Sequence, residues 1–271
     1  MPSISARPLH LLTAGVGALA MVATATAGAG ASHHGGHAAA LTAAHHRLSF
    51  TPNGHIGTPM RAPGHGHLSA LGRGGAFNIN GGNWSGMAAQ GSGFTSTSAS
   101  WVEPSVTCNS ANDLMAPWVG IDGYGSSTVE QTGVATDCSS GRPVYQAWYE
   151  MYPAGPVYYR NPVQAGDTIT ASVTRSGSSY TLTLRDVTQG WTKTTNKTLD
   201  AANASAEFII ESPTGAYPRF GSVDFRNATV NGNPLGDYDP VAMDASNSSG
   251  YEDHTSGLSG GTDFSISYLH E

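Results

Sequence analysis

Two short runs of alternating residues determine the predicted fold class of this 271-residue chain. The first is TITASVTR at positions 168–175, and the second is YTLTLRDV at positions 180–187. Between them lies SGSS at 176–179, and a short Gly/Ser junction between alternating runs predicts a β-hairpin. Side chains of a strand point alternately to its two faces, so each run presents one apolar face and one polar face.

Similar short runs, separated by turn residues, recur along the chain after about residue 77. They lie at 93–102, 117–122, 145–152, 207–211, 222–230 and 264–269. No segment keeps the 3.6-residue period of an amphipathic helix. Regularly spaced strands without intervening helices predict an all-β sandwich or barrel, and we expect one antiparallel domain over residues 78–271.

The composition excludes several other classes of protein. Charged residues make up 11% of the chain, against roughly 25% in an average soluble domain, and Gly and Pro number 35 and 15. Coiled coils need more charge and less Gly. A nucleic-acid binder would carry a basic patch, whereas the net charge here is −7, so we expect no nucleic-acid partner.

The segment 1–31 has the pattern of a secretory signal peptide. Arg7 precedes an apolar run at 11–27, and small residues ending at Ala27 or Ala31 offer cleavage sites. The alternative is a membrane anchor, but the run is short and rich in Gly, Ala and Thr. We therefore expect a secreted, extracellular protein that is not attached to a membrane after processing.

Residues 32–77 form a His-rich, low-complexity segment that we interpret as a pro-segment. It holds eight of the 11 histidines, three arginines and no acidic residue. Its Gly/Pro/Ala content gives little to pack, so we expect it to be disordered. A passive spacer and metal capture by the histidines are the alternatives.

The distribution of charge supports the pro-segment. All 19 acidic residues follow residue 77, together with eight Lys and Arg, so residues 78–271 carry −11. The segment 32–77 carries +3 with neutral histidines and up to +11 with protonated ones. Because imidazoles titrate near pH ~6.5 and carboxylates near pH ~4, attraction between the two parts should peak in mild acid and fade in stronger acid.

The chain has two cysteines, Cys108 and Cys138. In an exported protein they are expected to form one disulfide, which would close a loop around Trp118 and Asp122 and stabilise the fold by roughly 3 kcal/mol. A reactive thiol is the alternative, but no nearby His or Lys would lower its pKa.

Histidine-based catalysis has little support, since only His254 and His270 lie outside the N-terminal segments. The sequence GLSGG at 257–261 fits the G-x-S-x-G pattern, with Asp263 and His270 following it. A nucleophile elbow requires a strand–turn–helix context, so we interpret this Gly/Ser-rich sequence as a turn. The sequence has no zinc-binding spacing and no phosphate-binding loop, and we expect neither a metal nor a cofactor.

Carboxylates and amides on strands are the remaining candidates for chemistry. In EFIIE at 207–211, both glutamates share one face with Ile209, and Phe208 and Ile210 share the other. The same period places two further sets on single faces: Gln146, Trp148, Glu150 and Tyr152, and Trp118 with Asp122. Aromatic and acidic groups aligned on a sheet favour a groove for an extended polymer, either a polypeptide or a polysaccharide.

Five short sequences resemble the glutamic peptidases, or eqolisins, in the same order and at similar separations. They are Asn83-Trp84-Ser85-Gly86, Trp118-Val119-Gly120-Ile121-Asp122-Gly123, Glu130-Gln131-Thr132-Gly133, Ala147-Trp148-Tyr149-Glu150 and Ala206-Glu207-Phe208-Ile209-Ile210-Glu211. The resemblance covers about residues 80–270. It implies a lectin-like (concanavalin A type) sandwich of two packed, curved antiparallel sheets. It also implies a secreted acid endopeptidase made as a pro-protein. The expected partners are a polypeptide substrate and the enzyme's own pro-segment, and we expect a monomer.

By this resemblance the catalytic pair is Gln131 and Glu211. Further residues expected to line the cleft are Trp84, Trp118, Asp122, Trp148, Glu150 and Tyr152. Glu211 would take a proton from water, Gln131 would stabilise the oxyanion through its amide N–H, and protonated Glu211 would then protonate the leaving nitrogen. An acid pH optimum follows, because a glutamate titrates near pH ~4.3.

The chain departs from the family pattern at two positions. Gln146 stands where Asp is frequent, and Met151 stands where Trp is common, on the opposite face by period. The alternatives are a non-catalytic lectin-like module that binds carbohydrate or peptide, a glycoside hydrolase using Glu150 and Glu211, and an inactive peptidase homologue. N-glycosylation sequons begin at Asn83, Asn196, Asn203, Asn227 and Asn247.

Overall fold

Alternating runs of the sequence become strands in the computed structural model, which describes residues 78–271. In chain order the strands are β1 Ile79–Asn80, β2 Trp84–Gln90, β3 Ser96–Val102, β4 Leu114–Ile121, β5 Val129–Asp137, β6 Val144–Tyr152, β7 Val157–Tyr158, β8 Thr168–Ser176, β9 Ser179–Asp186, β10 Trp191–Thr198, β11 Ser205–Glu211, β12 Ser222–Val230, β13 Asn233–Pro234, β14 Val241–Asp244, β15 Ser246–Asn247, β16 Gly250–Tyr251, β17 Asp253–Thr255 and β18 Phe264–Tyr268. A 3₁₀ helix covers Leu235–Tyr238. The predicted signal peptide and pro-segment, residues 1–77, lie outside the described residues.

The strands form two eight-stranded sheets, which we call the front and back sheets. The front sheet has the order β1-β14-β2-β11-β4-β5-β6-β7. The back sheet has the order β10-β9-β8-β3-β12-β18-β17, with β13 pairing with β12, and β15 and β16 form a separate ribbon. Only the short β1–β14 pair is parallel among the strands of residues 78–271, so the prediction of an antiparallel two-sheet sandwich is confirmed.

The predicted hairpin forms between β8 and β9, with Ser176 paired to Ser179. The two-residue turn places Gly177 at φ 60°, and Ser178 does not have positive φ. Positive φ at the first turn position alone is the pattern of a type II′ turn, which demands glycine there and matches the twist of the flanking strands.

The core lies between the two sheets and is built from the apolar faces of both. Its members include Val134, Met151, Phe208 and Ile210 from the front sheet and Ile169, Leu182, Leu184 and Phe225 from the back sheet. Each such side chain contributes roughly 1.5–3 kcal/mol when removed from water. Phe208 and Ile210 share one face of β11, opposite to Ile209, as the period predicted, and that face points into the core.

A second apolar cluster lies on the opposite, outer face of the front sheet. It consists of Trp84, Ala88, Leu114, Ala116, Trp118, Val129, Ala135, Trp148, Ile209 and Met243. Trp84 and Trp118 meet edge to face, with ring centroids 5.0 Å apart. Tyr124, Tyr152 and Tyr158 pack against the cluster as partly buried residues. This face carries the polar residues of the candidate site.

The sequence analysis did not predict three of the long strands, β2, β5 and β10. β2 is rich in small residues, and β5 carries buried Glu, Gln and Thr side chains, so neither shows clean alternation. β10 is polar along its length because it is the edge strand of the back sheet and is largely exposed. The predicted strands are present, with ends that differ from the prediction by up to three residues. No helix within residues 78–271 is long and apolar enough to cross a membrane.

The predicted disulfide between Cys108 and Cys138 is present, with the two Cα atoms 5.7 Å apart. It joins the segment before β4 to the residue that follows β5, 30 positions later. The bond therefore closes the β4–β5 hairpin, which carries Trp118 and Gln131, at its open end.

Candidate active site

Strand register places the two residues of the expected catalytic pair on the outer face of the front sheet. Gln131 of β5 lies opposite Gly120 of β4, and Gly120 lies opposite Glu207 of β11. Glu211 stands four residues further along β11, opposite Trp84 of β2. The pair is therefore set diagonally across the sheet, with β4 between the two strands.

Gln131 is held by a carboxylate on the neighbouring strand. Glu150 of β6 lies directly opposite it, and Nε2 of Gln131 donates a 2.7 Å hydrogen bond to Oε2 of Glu150. Both side chains are fully buried, and Oε1 of Gln131 has no hydrogen-bond partner among residues 78–271. An amide donates two hydrogen bonds, so one N–H remains to serve a substrate.

Glu211 is also fully buried, and its two carboxylate oxygens differ in their surroundings. Nδ2 of Asn83 donates a 3.0 Å hydrogen bond to Oε1. Oε2 finds no hydrogen-bond partner in the part of the chain that the structure describes. One oxygen is thus fixed by the protein, and the other is free to act on a proton.

The pKa of Glu211 is raised well above its usual value, chiefly because burial disfavours the charged form. The negative charge of Glu150 raises the pKa further, whereas Asn83 and the indoles of Trp84 and Trp118 lower it. Neither indole N–H meets strict hydrogen-bond geometry with a partner within residues 78–271. The indole of Trp84 lowers the pKa more than Asn83 does, and the amide of Asn83 makes the one direct hydrogen bond of the three by geometry.

Trp118 connects the surroundings of Glu211 with those of Gln131. A Cβ atom on Gly120 would lie 2.9 Å from the Trp118 ring and 3.2 Å from Cβ of Gln131, and one on Gly133 would lie 2.2 Å from the carbonyl oxygen of Pro117. Larger residues at these positions would displace the ring or the strand. The close approach of the Trp118 ring thus explains Gly120, and the close approach of β4 at Pro117 and Trp118 explains Gly133.

The structure gives the other expected cleft residues different surroundings. Trp148 belongs to the outer-face cluster, and Tyr152 packs against it. The carboxylate of Asp122 instead accepts N–H groups of Asn203 at 2.6 Å and Ala204 at 2.8 Å. The structure therefore groups Trp148 and Tyr152 with the outer face of the front sheet, whereas Asp122 secures the chain before β11.

The two departures from the family pattern have clear positions. Gln146 lies opposite Ala135 of β5, beside the outer-face cluster, and its Oε1 has no hydrogen-bond partner within the described residues. Met151 is buried in the core between the sheets. The departure at Met151 therefore affects packing, and of the two residues only Gln146 adjoins the outer face of the front sheet.

The G-x-S-x-G sequence is a turn, as expected. Ser259 and Asp263 form an isolated antiparallel bridge, and Gly260 and Gly261 have positive φ. Because no helix follows Ser259, the sequence lacks the context of a nucleophile elbow. In the described range, no group of three or more His, Cys, Asp and Glu side chains is arranged to hold a metal ion.

Sequence reasoning did not single out Asn83 or Tyr217 as parts of the site. The hydroxyl of Tyr217 donates to the backbone carbonyl oxygen of Asn83 at 2.7 Å. The backbone carbonyl oxygen of Ile210, at 3.2 Å, is a second and longer acceptor of the same hydroxyl. Asn83 belongs to the first of the five family-like motifs, and that motif could have indicated that Asn83 is part of the site. Tyr217 lies outside every motif, and only the fold brings it here.

Known proteins share both the sequence and the fold. A sequence model described as the Peptidase A4 family matches residues 82–268. Aspergillopepsin-2 of Aspergillus niger is 31% identical over 195 residues, covering 60% of this chain and 69% of that protein.

Two solved structures are similar to the front and back sheets together. One is scytalido-glutamic peptidase with a transition state analog inhibitor, at 27% identity and a TM-score of 0.62, covering 69% of this chain and 98% of the other. Another is SCP-B, an eqolisin in complex with the tripeptide Ala-Ile-His, at 26% identity and a TM-score of 0.58, with the same coverage.

A two-sheet sandwich that carries these motifs on one face defines a glutamic endopeptidase. The chain belongs to the Peptidase A4 family.

Proposed function

We propose that this enzyme hydrolyses peptide bonds in acid through Glu211 and Gln131. The proposal rests on a difference between the two carboxylate oxygens of Glu211. Oε1 accepts a hydrogen bond from Asn83, whereas Oε2 has no hydrogen-bond partner in the described residues. Oε2 takes a proton from water, which then attacks the peptide carbonyl. The free N–H of Gln131 donates to the oxyanion, and protonated Glu211 returns the proton to the leaving nitrogen.

The substrate is proposed to be an extended polypeptide that lies along the outer face of the front sheet. Trp84, Trp118 and Trp148 are fully buried and form the apolar base of this face, and Glu150 keeps Gln131 oriented. Tyr152 adjoins the same cluster, so it is proposed to contact side chains of the substrate. A mainly apolar cleft with a few placed polar groups is typical of a binding site that fixes orientation.

The enzyme is further proposed to be secreted, as a monomer, with residues 32–77 as its pro-segment. The charge of that segment is opposite to that of residues 78–271. Its attraction should weaken once carboxylates are protonated, so that strong acid releases the active enzyme.

The experiment follows cleavage of a denatured protein by the processed enzyme between about pH 2 and 7, a range that brackets carboxylate and His titration. Gln131→Ala should abolish activity. Gln146→Ala, which removes another amide beside the same cluster, should retain it. If the processed wild type cleaves nothing, a binding module becomes the better account, and sugars and peptides should then be tested against Trp84 and Trp148.

A further inference from the structure

Asn83 precedes β2 and connects it to the end of β11, where both hydrogen bonds that its side chain makes within residues 78–271 are found. Its Nδ2 donates to Oε1 of Glu211 at 3.0 Å and to the carbonyl oxygen of Ser212 at 3.2 Å. The backbone carbonyl oxygen of Asn83 accepts a hydrogen bond from the backbone N–H of Ser212 at 3.0 Å. Rotation of the amide would therefore break its hydrogen bonds to both Glu211 and Ser212.

Further hydrogen bonds, made by Tyr217 and Ser212, hold Asn83 and the turn after Glu211 in place. Tyr217 is fully buried, and its hydroxyl holds the carbonyl oxygens of both Asn83 and Ile210. The hydroxyl of Ser212 bonds to the backbone of Ala216 and closes the turn between them. The donor at Glu211 is thus preorganised by the fold, which is the condition under which a single hydrogen bond controls reactivity.

Building on the proposed function, we propose that Asn83 is a positioning residue that commits Oε1 of Glu211 and leaves Oε2 as the oxygen that accepts the proton. Because the amide cannot be titrated, it supports the ionised form of Glu211 at every working pH. A hydrogen bond to the charged form of a carboxyl lowers its pKa, opposing burial and the charge of Glu150. Among the described residues, the hydroxyl of Tyr217 is also coupled electrostatically to this carboxylate, and Asp253 and Glu252 face the same hydroxyl.

Asn83 also begins the sequon Asn83-Trp84-Ser85. An N-linked glycan would be attached through Nδ2, the same atom that donates to Glu211. Asn83 uses both N–H bonds of its amide, one toward Glu211 and one toward the carbonyl oxygen of Ser212, and a glycosylated amide keeps only one, so active enzyme made in a glycosylating host should carry no glycan at Asn83. Peptide mass mapping of the active fraction tests this, and a glycan found on Asn83 in active enzyme would overturn the proposal.

The main test compares pH–rate profiles of the full chain after processing. Asn83→Ala should lower kcat by between about tenfold and a hundredfold and leave KM within about twofold, since only orientation is lost. Its acid limb in kcat/KM should move to higher pH, because the support for ionised Glu211 is removed. Asn83→Asp should recover activity at the acid end only, where the new carboxyl is protonated and donates.

The matched control is Asn78→Ala, which removes an equivalent amide contact, 2.9 Å from Nδ2 to Asp244, away from Glu211. It should lower the melting temperature without moving the acid limb. Tyr217→Phe keeps the ring and removes one hydroxyl, so it should move the limb in the same direction as Asn83→Ala but less.

An unmoved acid limb in both Asn83→Ala and Tyr217→Phe would overturn the role of Asn83. Equal profiles for the Ala and Asp variants would do the same. Glu211→Gln separates the two proposals, because an active Glu211→Gln enzyme refutes the dyad itself, whereas an inactive one leaves only the positioning role in question.

Discussion

Gln131 and Glu150 lie directly opposite each other on neighbouring antiparallel strands, and the amide of Gln131 donates to the carboxylate of Glu150 at 2.7 Å. The same carboxylate is close enough to Glu211 to raise its pKa. Glu150 thus acts on both members of the proposed dyad, on one by orientation and on the other by charge.

Replacing Glu150 with Gln should move the acid limb of the kcat/KM profile to lower pH. The acid limb reports ionisation of Glu211, and removing a neighbouring negative charge lowers that pKa. The new amide oxygen can still accept from Gln131, so kcat should fall only modestly.

A suitable comparison is Glu103→Gln, which removes a buried carboxylate held by Trp101 and Thr136 instead. Its acid limb should stay in place. A Glu150→Gln limb that stays in place or moves upward would contradict the coupling to Glu211.

Glu130→Gln should stabilise the protein at neutral pH and leave its stability in strong acid unchanged. Glu130 is fully buried, and neither carboxylate oxygen has a hydrogen-bond partner by geometry among the described residues. Burial, with the charge of Asp122, raises its pKa to about 8, although Thr128, Tyr180 and Arg175 lower it.

The sign follows because the pKa of Glu130 is higher in the folded protein than in the unfolded chain, where it lies near ~4.3. Below that value both states hold the proton, and above it folding is opposed by about 1.4 kcal/mol per pH unit up to the folded pKa. The variant should therefore gain up to about 4 kcal/mol at pH 7. Denaturant unfolding at pH 3.5 and 7 measures it, with exposed Asp200→Asn as control. Equal effects of Glu130→Gln at both pH values would refute it.

Replacing Cys108 and Cys138 together with Ala should lower the free energy of unfolding by about 2–4 kcal/mol. The bond closes the open end of the β4–β5 hairpin, so its loss frees the unfolded chain more than it disturbs the folded sheet. At temperatures where the variant stays folded, activity should persist. Loss of activity without loss of stability would show that the bond shapes the site itself.

The peptide 32–77 should bind the processed domain more weakly at about pH 3 than at about pH 6, because carboxylates on the domain are then protonated. Titration calorimetry at constant ionic strength measures this. A peptide with every His replaced by Asn should lose the maximum in mild acid. Unchanged or tighter binding of the natural peptide at pH 3 would discard the charge mechanism.

Much of this fold was accessible from local patterns. The faces of β11 followed from EFIIE at 207–211 alone, because period 2 is strict in a strand. β10 was not accessible, since an edge strand needs no apolar face and its polar sequence looks like a loop. Sheet order was also beyond local reasoning, because the pairing of β2 with β11 joins segments more than 100 residues apart.

The candidate site, like the fold, could be predicted only in part from the sequence. Gln131, Glu150 and Glu211 were found because the motifs that carry them resemble a known family. The support of Glu211 by Asn83, and of Asn83 by Tyr217, depends on side-chain contacts between residues 128 and 134 positions apart. No pattern within one strand reports such contacts.

The most direct test of the account compares Glu211→Gln with Glu207→Gln in hydrolysis of a denatured protein across about pH 2 to 7, which spans carboxylate titration. Both glutamates are buried on the same face of β11 with raised pKa values. We predict that Glu211→Gln has no measurable activity, whereas Glu207→Gln keeps most of it. Activity retained by Glu211→Gln, or lost equally in both variants, would contradict the assignment of Glu211 as the proton-transferring residue.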